Sequence, residues 1–272
     1  MTPTFTTLQV TLIDKIAEIR LNRPEKSNAM NDAMWQEIRQ AFDWVDATPE
    51  ARVAILSGEG KNFCAGIDLS MLGSIQQRIT HNDGARSREL LRRLILDLQD
   101  CLSSIERCRK PVLASIQGAC VGGALDLVTC CDMRYASADA IFSIKEIDLG
   151  MVADVGTLQR LPSLIGQGMT RELAFTGRNL STEEAEKLGL INRVFASNDA
   201  CTVAVRALAK TIAAKSPLAT RGLKEVLNYS RDHSVSDGLS HVASWNAAML
   251  LSADLNEAML AQREQRPPRF AD

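Results

Sequence analysis

Short apolar strands alternate with segments of helical spacing from Leu8 to about Phe195, and beyond Asn198 the chain turns wholly helical. This change of period constrains the fold more than any other feature. Alternating strands and helices build a sheet with right-handed crossovers. A run of helices after it reads as an appended segment, so we expect a main unit over 1–198 and a helical segment over 199–272. Leu8–Ile13 and Ile16–Leu21 read as paired strands around Asp14-Lys15, and Asn22-Arg23-Pro24 breaks the second. Asn31 is placed to cap a helix from Asp32 to Val45, with Met34, Ile38, Ala41, Phe42 and Val45 on one face. Arg52–Ser57 and Pro111–Gln117 read as buried strands, and Leu90–Ile105 as an amphipathic helix. The polar stretch Ile75–Arg88 reads as a mobile loop or helix start near a binding site. Four helices are predicted at the end, over Asp199–Lys215, Pro217–Ser230, Val235–Leu251 and Ala253–Gln262.

Charge narrows the partners. The net charge is −2, which implies no basic face, so neither a nucleic acid nor an anionic membrane is expected. The longest arginine cluster, Arg86 to Arg93, is interrupted by Glu89 and followed by Asp97 and Asp100. No apolar run approaches the ~20 residues that span a bilayer. The seven cysteines are odd in number and form no C-x-x-C pair, which fits buried free thiols in a reducing compartment rather than disulfides or zinc. The first positive charge is Lys15, and the chain ends Arg269-Phe270-Ala271-Asp272. Neither end reads as a targeting signal, so a cytoplasmic location is expected.

Two glycine turns and three acids carry the chemistry. Asn62 to Leu69 follows a strand and a turn, and Gly66 there frees the amide of Ile67 to face a ligand oxygen. Gly118 to Asp126 follows another strand, and Gly122-Gly123 places free amides at the start of an apolar helix. Two such amides can hold one oxygen as negative charge develops on it, although each turn taken alone reads equally as a tight bend. Asp126 lies in the apolar run Ala124–Val128, Glu146 follows 20 residues later, and Asp154 8 residues after that. Apolar neighbours raise a carboxyl pKa toward the range of proton transfer. Locally, Asp154 reads first as the cap of a helix from Val155 to Ile165, and Glu146 as a surface partner of Lys145 or Arg134. Asp126 is hardest to dismiss, because an unpaired buried Asp is costly. Asp132 and Arg134 read as a structural ion pair, and Trp35, Trp44 and Trp245 as core or interface residues. The three histidines lie outside these motifs, which leaves a serine-hydrolase triad or a histidine metal site unsupported.

Four stretches together resemble the crotonase (enoyl-CoA hydratase/isomerase) superfamily: Ala65-Gly66-Ile67-Asp68-Leu69, Val121 to Asp126, Cys131-Asp132-Met133-Arg134, and Thr157 to Pro162. The resemblance runs from Leu8 to about Gln265. It implies an α/β spiral of β-β-α turns (the ClpP/crotonase-like fold), a helical C-terminal trimerisation segment, and a homotrimer or dimer of trimers. It implies an acyl-CoA thioester substrate, with no cofactor beyond the CoA it carries and no metal. The amides of Ile67 and Gly123 would form the oxyanion hole. CoA would lie against Lys26, Ser27, Asn28 and Ala29, and against Ala65, Gly66, Asp68, Leu69 and Gly122.

The hydratases of this superfamily carry Glu where this chain has Asp126 and Glu146, and usually no acid at the position of Asp154. The set Asp126, Glu146, Asp154 is instead similar to the dienoyl-CoA isomerase branch. There the double bonds of a 3,5-dienoyl thioester move to 2,4, and the chain would do the same in fatty-acid β-oxidation. By this resemblance Glu146 takes the C2 proton, Asp154 delivers one at C6, and Asp126 positions or tunes the pair. The alternative is hydration of a 2-enoyl-CoA. Acyl-chain length would be set by Met71, Leu72, Ile75, the Leu90–Leu98 helix and Trp245.

Overall fold

The computed structural model describes residues 1–272. Strands β1 (Leu8–Ile13) and β2 (Ile16–Leu21) pair antiparallel, with Leu8 opposite Leu21. Asp14 and Lys15 between them both have positive φ, which lets a two-residue loop follow the strand twist. Helix α1 (Asp32–Ala47) starts where expected: the Asn31 side chain accepts from the Met34 amide at 3.0 Å. Then follow β3 (Val53–Gly58), α2 (Leu69–Arg78), α3 (Gly84–Arg107), β4 (Val112–Ile116), β5 (Ala119–Val121) and α4 (Gly123–Thr129). Next come β6 (Met133–Ser137), β7 (Ile141–Ser143), α5 (Thr157–Ile165), α6 (Gln167–Thr176), β8 (Leu180–Ser181), α7 (Thr182–Leu188) and β9 (Arg193–Phe195). The chain closes with α8 (Asn198–Ala213), α9 (Pro217–Arg231), α10 (Val235–Met249) and α11 (Ala253–Arg263).

The larger sheet has the order β1-β2-β3-β4-β6-β9 and is parallel from β2 onward; β5, β7 and β8 form a smaller second sheet. Helices α1 and α3 pack together, and Trp35, Phe42, Phe63 and Phe142 fill the principal core. Helix α8 packs on the larger sheet, closing Cys201, Val205, Ala209 and Ala213 over Ile16, Val53, Ile55 and Leu113. All seven cysteines are free and buried. Helix α10 packs on α9, where Gly222 makes room for the ring of Trp245; a Cβ at 222 would lie 2.5 Å from its Nε1. No helix is long and apolar enough to cross a membrane.

Of the two readings of Ile75–Arg88 the helix start holds: the stretch contains the end of α2 and the start of α3, with Asp68 capping α2 and Asp83 capping α3, each carboxylate accepting from amides of the first turn. One local expectation is corrected. Asp132 and Arg134 do not pair with each other. Asp132 takes the buried ammonium of Lys224 at 2.8 Å, while the Arg134 guanidinium donates to the carbonyls of Leu190 and Cys131. Neighbours two apart on a strand share a face, but here each finds a partner from a distant segment first.

Candidate active site

The two glycine turns are stitched edge to edge. Phe63 N donates to Gln117 O, Cys64 N to Ala119 O, and Val121 N to Cys64 O. Gly66 turns at φ +90° and Gly122 at φ +55°, a region costly for any residue with a Cβ. The turns also approach closely: a Cβ on Gly66 would lie 2.8 Å from Val121 O and 3.4 Å from Gly123 N. A Cβ on Gly123 would lie 3.8 Å from Ile67 N. The amides of Ile67 and Gly123 thus stand side by side, and neither donates to a protein acceptor.

Residues 26–30 are zipped onto the first turn by Ala65 N to Ser27 O, Met30 N to Gly66 O, and Asp68 N to Met30 O. Lys26, Ala65 and Leu69 are exposed there, and Ser27 and Ala29 half-buried. The Asn28 side chain is spent on the fold. It is wholly buried, accepts from Arg23 N, and donates to the carbonyls of Glu59, Asn62 and Phe63. Asp68 is likewise committed, to Arg23 at 3.0 Å and to the start of α2 through Ser70 N. Arg23 was legible only as part of a strand-breaking tripeptide.

The three acids converge, in three different settings. Asp126 lies one turn into α4 and is fully buried. Its Oδ1 accepts from the Thr157 amide at 2.5 Å, so it, rather than Asp154, satisfies the start of α5. The residue at the cap position is Gly156, which has no side chain to offer. Asp126 Oδ2 has no partner. Burial pushes this carboxyl up to about 6 against the pull of the Thr157 amide, with the charge of Asp154 adding to the rise.

Glu146 opens a 3-10 turn after β7, and its Oε1 lies 3.3 Å from where a Cβ on Gly122 would sit. Its Oε2 is buried without a partner. Burial, then the charge of Asp126, pushes it up to about 7. Lys145 pairs with Asp148 and not with Glu146. Asp154 is open on one flank, and burial of the other raises its carboxyl.

A cavity of about 690 Å³ joins these parts. It is lined by Ile67, Gly123, Glu146 and Asp154, and by residues of α1, α2 and α3. Apart from Gly123, Gln76 and the two carboxylates, every lining residue is hydrophobic. Leu72, Ile75, Leu91, Leu94, Ile95 and Leu98 form its walls as expected from the sequence. Met71 and Trp245 do not wall it, the latter lying on α10 with its ring against Gly222 of α9; Trp35, a core residue as read from the sequence, also lines it. Asp126 sits behind the wall and not on it.

Two free amides facing two raised carboxylates across an apolar slot can stabilise an enolate oxygen and move protons along an acyl chain. Residues 13–272 match the enoyl-CoA hydratase/isomerase family. The chain belongs to that family. It is 52% identical over 252 residues, 92% of this chain and 91% of the other, to the peroxisomal Δ3,5-Δ2,4-dienoyl-CoA isomerase of Arabidopsis thaliana. It is 45% identical over 264 residues, 96% of this chain and 81% of the other, to the mitochondrial enzyme of that name from Mus musculus. Among solved structures, an enoyl-CoA hydratase from Bacillus anthracis superposes with a TM-score of 0.88 at 29% identity, covering 98% of this chain and 99% of that one. The crotonase spiral expected from the motifs is therefore the fold. The cytoplasmic expectation is overturned, since these relatives are named as peroxisomal and mitochondrial. Buried free thiols fit any reducing compartment and do not single out the cytoplasm.

Proposed function

We propose that this protein is a Δ3,5-Δ2,4-dienoyl-CoA isomerase of fatty-acid oxidation, in agreement with relatives of that name at 45–52% identity over most of the chain. The observation that carries the reading at the level of residues is the placement of the acids. Glu146 and Asp154 face the apolar cavity, and Asp126 is behind it, held by Thr157 N. A hydratase would use two acids on one water, and an Asp126 turned to a helix start does not supply the second.

The thioester oxygen is assigned to the amides of Ile67 and Gly123, which stabilise charge only as it develops. Glu146, raised by burial, removes a C2 proton. The electron pair of that C–H bond forms a new C1=C2 bond as the carbonyl pair moves onto the thioester oxygen, giving an enolate conjugated with both double bonds and so carrying electron density to C6. As the charge returns, C6 takes a proton from Asp154, leaving double bonds at 2 and 4. C2 and C6 are four bonds apart, roughly 5 Å in an extended chain, so two carboxylates serve better than one. Lys26, Ser27, Ala29, Ala65 and Leu69 are the proposed CoA rim, with Asn28, Gly66, Asp68 and Gly122 shaping it through the backbone.

Helices α9 to α11 are assigned to a homotrimer or a dimer of trimers. The test of function is direct. A 3,5-dienoyl-CoA is expected to gain the absorbance of a 2,4-dienoyl thioester, while crotonyl-CoA is hydrated slowly or not at all. Hydration without dienoyl turnover would overturn the assignment.

A further inference from the structure

The segment that carries Asp154 is thinly held. Residues 152–155 make no backbone–backbone hydrogen bond, and the last such tie before them is Met151 N to Glu146 O. Two glycines of positive φ, Gly150 and Gly156, bracket the segment. Ala153 and Val155 turn into the core, and Asp154 lies between them. One side chain reaches its main chain from outside: Gln99 Nε2 donates to Asp154 O at 2.6 Å.

Gln99 belongs to a stripe on α3. Gln99, Ser103 and Glu106 follow at i, i+4 and i+7, so they share one face. Ser103 and Glu106 receive the Arg160 guanidinium at 3.2 and 2.8 Å. Arg160 in turn lies over Gly156, where a Cβ would collide with its Nη1. An adjacent face of the same helix, Leu91, Leu94, Ile95 and Leu98, lines the acyl cavity. Behind Gln99 lies a polar cavity of about 380 Å³ that Val155 and Gly156 of the same segment also line.

We propose that Gln99 is a positioning residue that aims Asp154 at the C6 end of the substrate. The inference rests on the isomerase reading, in which Asp154 protonates C6. Misplacing a reacting group by about 1 Å costs up to a hundredfold, and the hydrogen bond fixes the carbonyl of the residue whose side chain must reach C6. Glu146 hangs from a different segment, so removal of the C2 proton does not depend on Gln99.

The test is Gln99→Leu, of similar shape and without the donor. The full-length variant is assayed in D2O with a 3,5-dienoyl-CoA, following product formation and deuterium entering C2 of the recovered substrate. The expected result is a kcat about tenfold or more below wild type, KM within twofold, and a raised ratio of C2 exchange to product. The dienolate still forms, but returns to substrate more often than it is protonated at C6. An unchanged kcat, or a fall in both rates at constant ratio, would overturn the proposal, since general disturbance slows both steps alike. Asp154→Asn run in parallel sets the upper bound of the ratio. If that variant also keeps the wild-type ratio, the fault lies with Asp154 as donor. If wild type forms no 2,4-dienoyl product at all, the functional reading itself fails.

Discussion

Glu146 and Asp154 differ in solvation, and the difference sets their pH behaviour. Both carboxyls are raised, Glu146 to about 7. The reaction needs one proton on the pair, absent from the base and present on the acid, and the two sites titrate together. The proton lost near 7 is that of Glu146, the base, while Asp154 must keep its own. A kcat/KM for dienoyl-CoA is therefore expected to rise as pH approaches 7 and to fall at higher pH as the pair loses its last proton. A rate that kept climbing beyond pH 8 would remove the need for a protonated carboxyl. The open flank of Asp154 lets it exchange with solvent between turnovers. Product formed in D2O should carry one deuterium at C6, whereas a single swinging carboxylate would carry the substrate's own C2 hydrogen across. Asp154→Asn should lower dienoyl turnover by roughly a hundredfold or more. At this scale the residue types were legible but their roles were not. Asp154 looked like a helix cap because it precedes α5 in sequence, and the true capping carboxylate, Asp126, precedes that helix by 31 residues.

Helix α5 shows what such a distant cap costs. Its first amide is satisfied by Asp126, a carboxyl that burial pushes up to about 6. A carboxyl raised above its unfolded value binds protons more tightly in the fold, so stability falls as pH rises from about 4 through 6 and stays lower beyond. The rise corresponds to about 3 kcal/mol. Asp126→Asn keeps an oxygen for Thr157 N and removes the buried charge. It is expected to melt a few degrees higher than wild type at pH 7.5 and to show no gain at pH 4, by differential scanning calorimetry, with activity reduced. Equal melting temperatures at both pH values would count against a buried charge at this position. Elements with local signals were read closely: the Asp14-Lys15 hairpin and Asn31 before α1 carry their boundaries in neighbouring residues, whereas the apolar stripe of α3 revealed the helix but not its start, which Asp83 sets six residues earlier at Gly84. What sequence did not reveal was which distant segments meet. The Asp132–Lys224 pair, the Arg23–Asp68 pair and the Gln99 tie each join residues more than forty positions apart, and no local periodicity encodes them.

The whole molecule leaves apolar surface where a monomer would hide it. On α9, Leu223 and Leu227 are 65% and 68% exposed; on α10, Val235 and Leu239 are 81% and 63% exposed. Each pair is spaced i, i+4 and so forms a stripe on its helix. Leu223 and Leu227 also overhang a second cavity of about 690 Å³ beside β6 and α5. Contiguous apolar surface of this kind marks an interface with another chain, and closing each leucine contributes on the order of 2 kcal/mol. The proposed trimer would cover these stripes. Light scattering should therefore give three or six times the 29.7 kDa of one chain. Leu223→Glu with Leu227→Glu should shift the mass toward one chain, because four such charges or more would meet in a closed ring. Helix α8 does not share this fate, since its apolar face is already spent on the sheet. A substitution on its exposed side, Val203→Glu, should leave the mass unchanged. A wild-type mass of one chain at micromolar concentration would refute the trimer and leave the stripes to another partner.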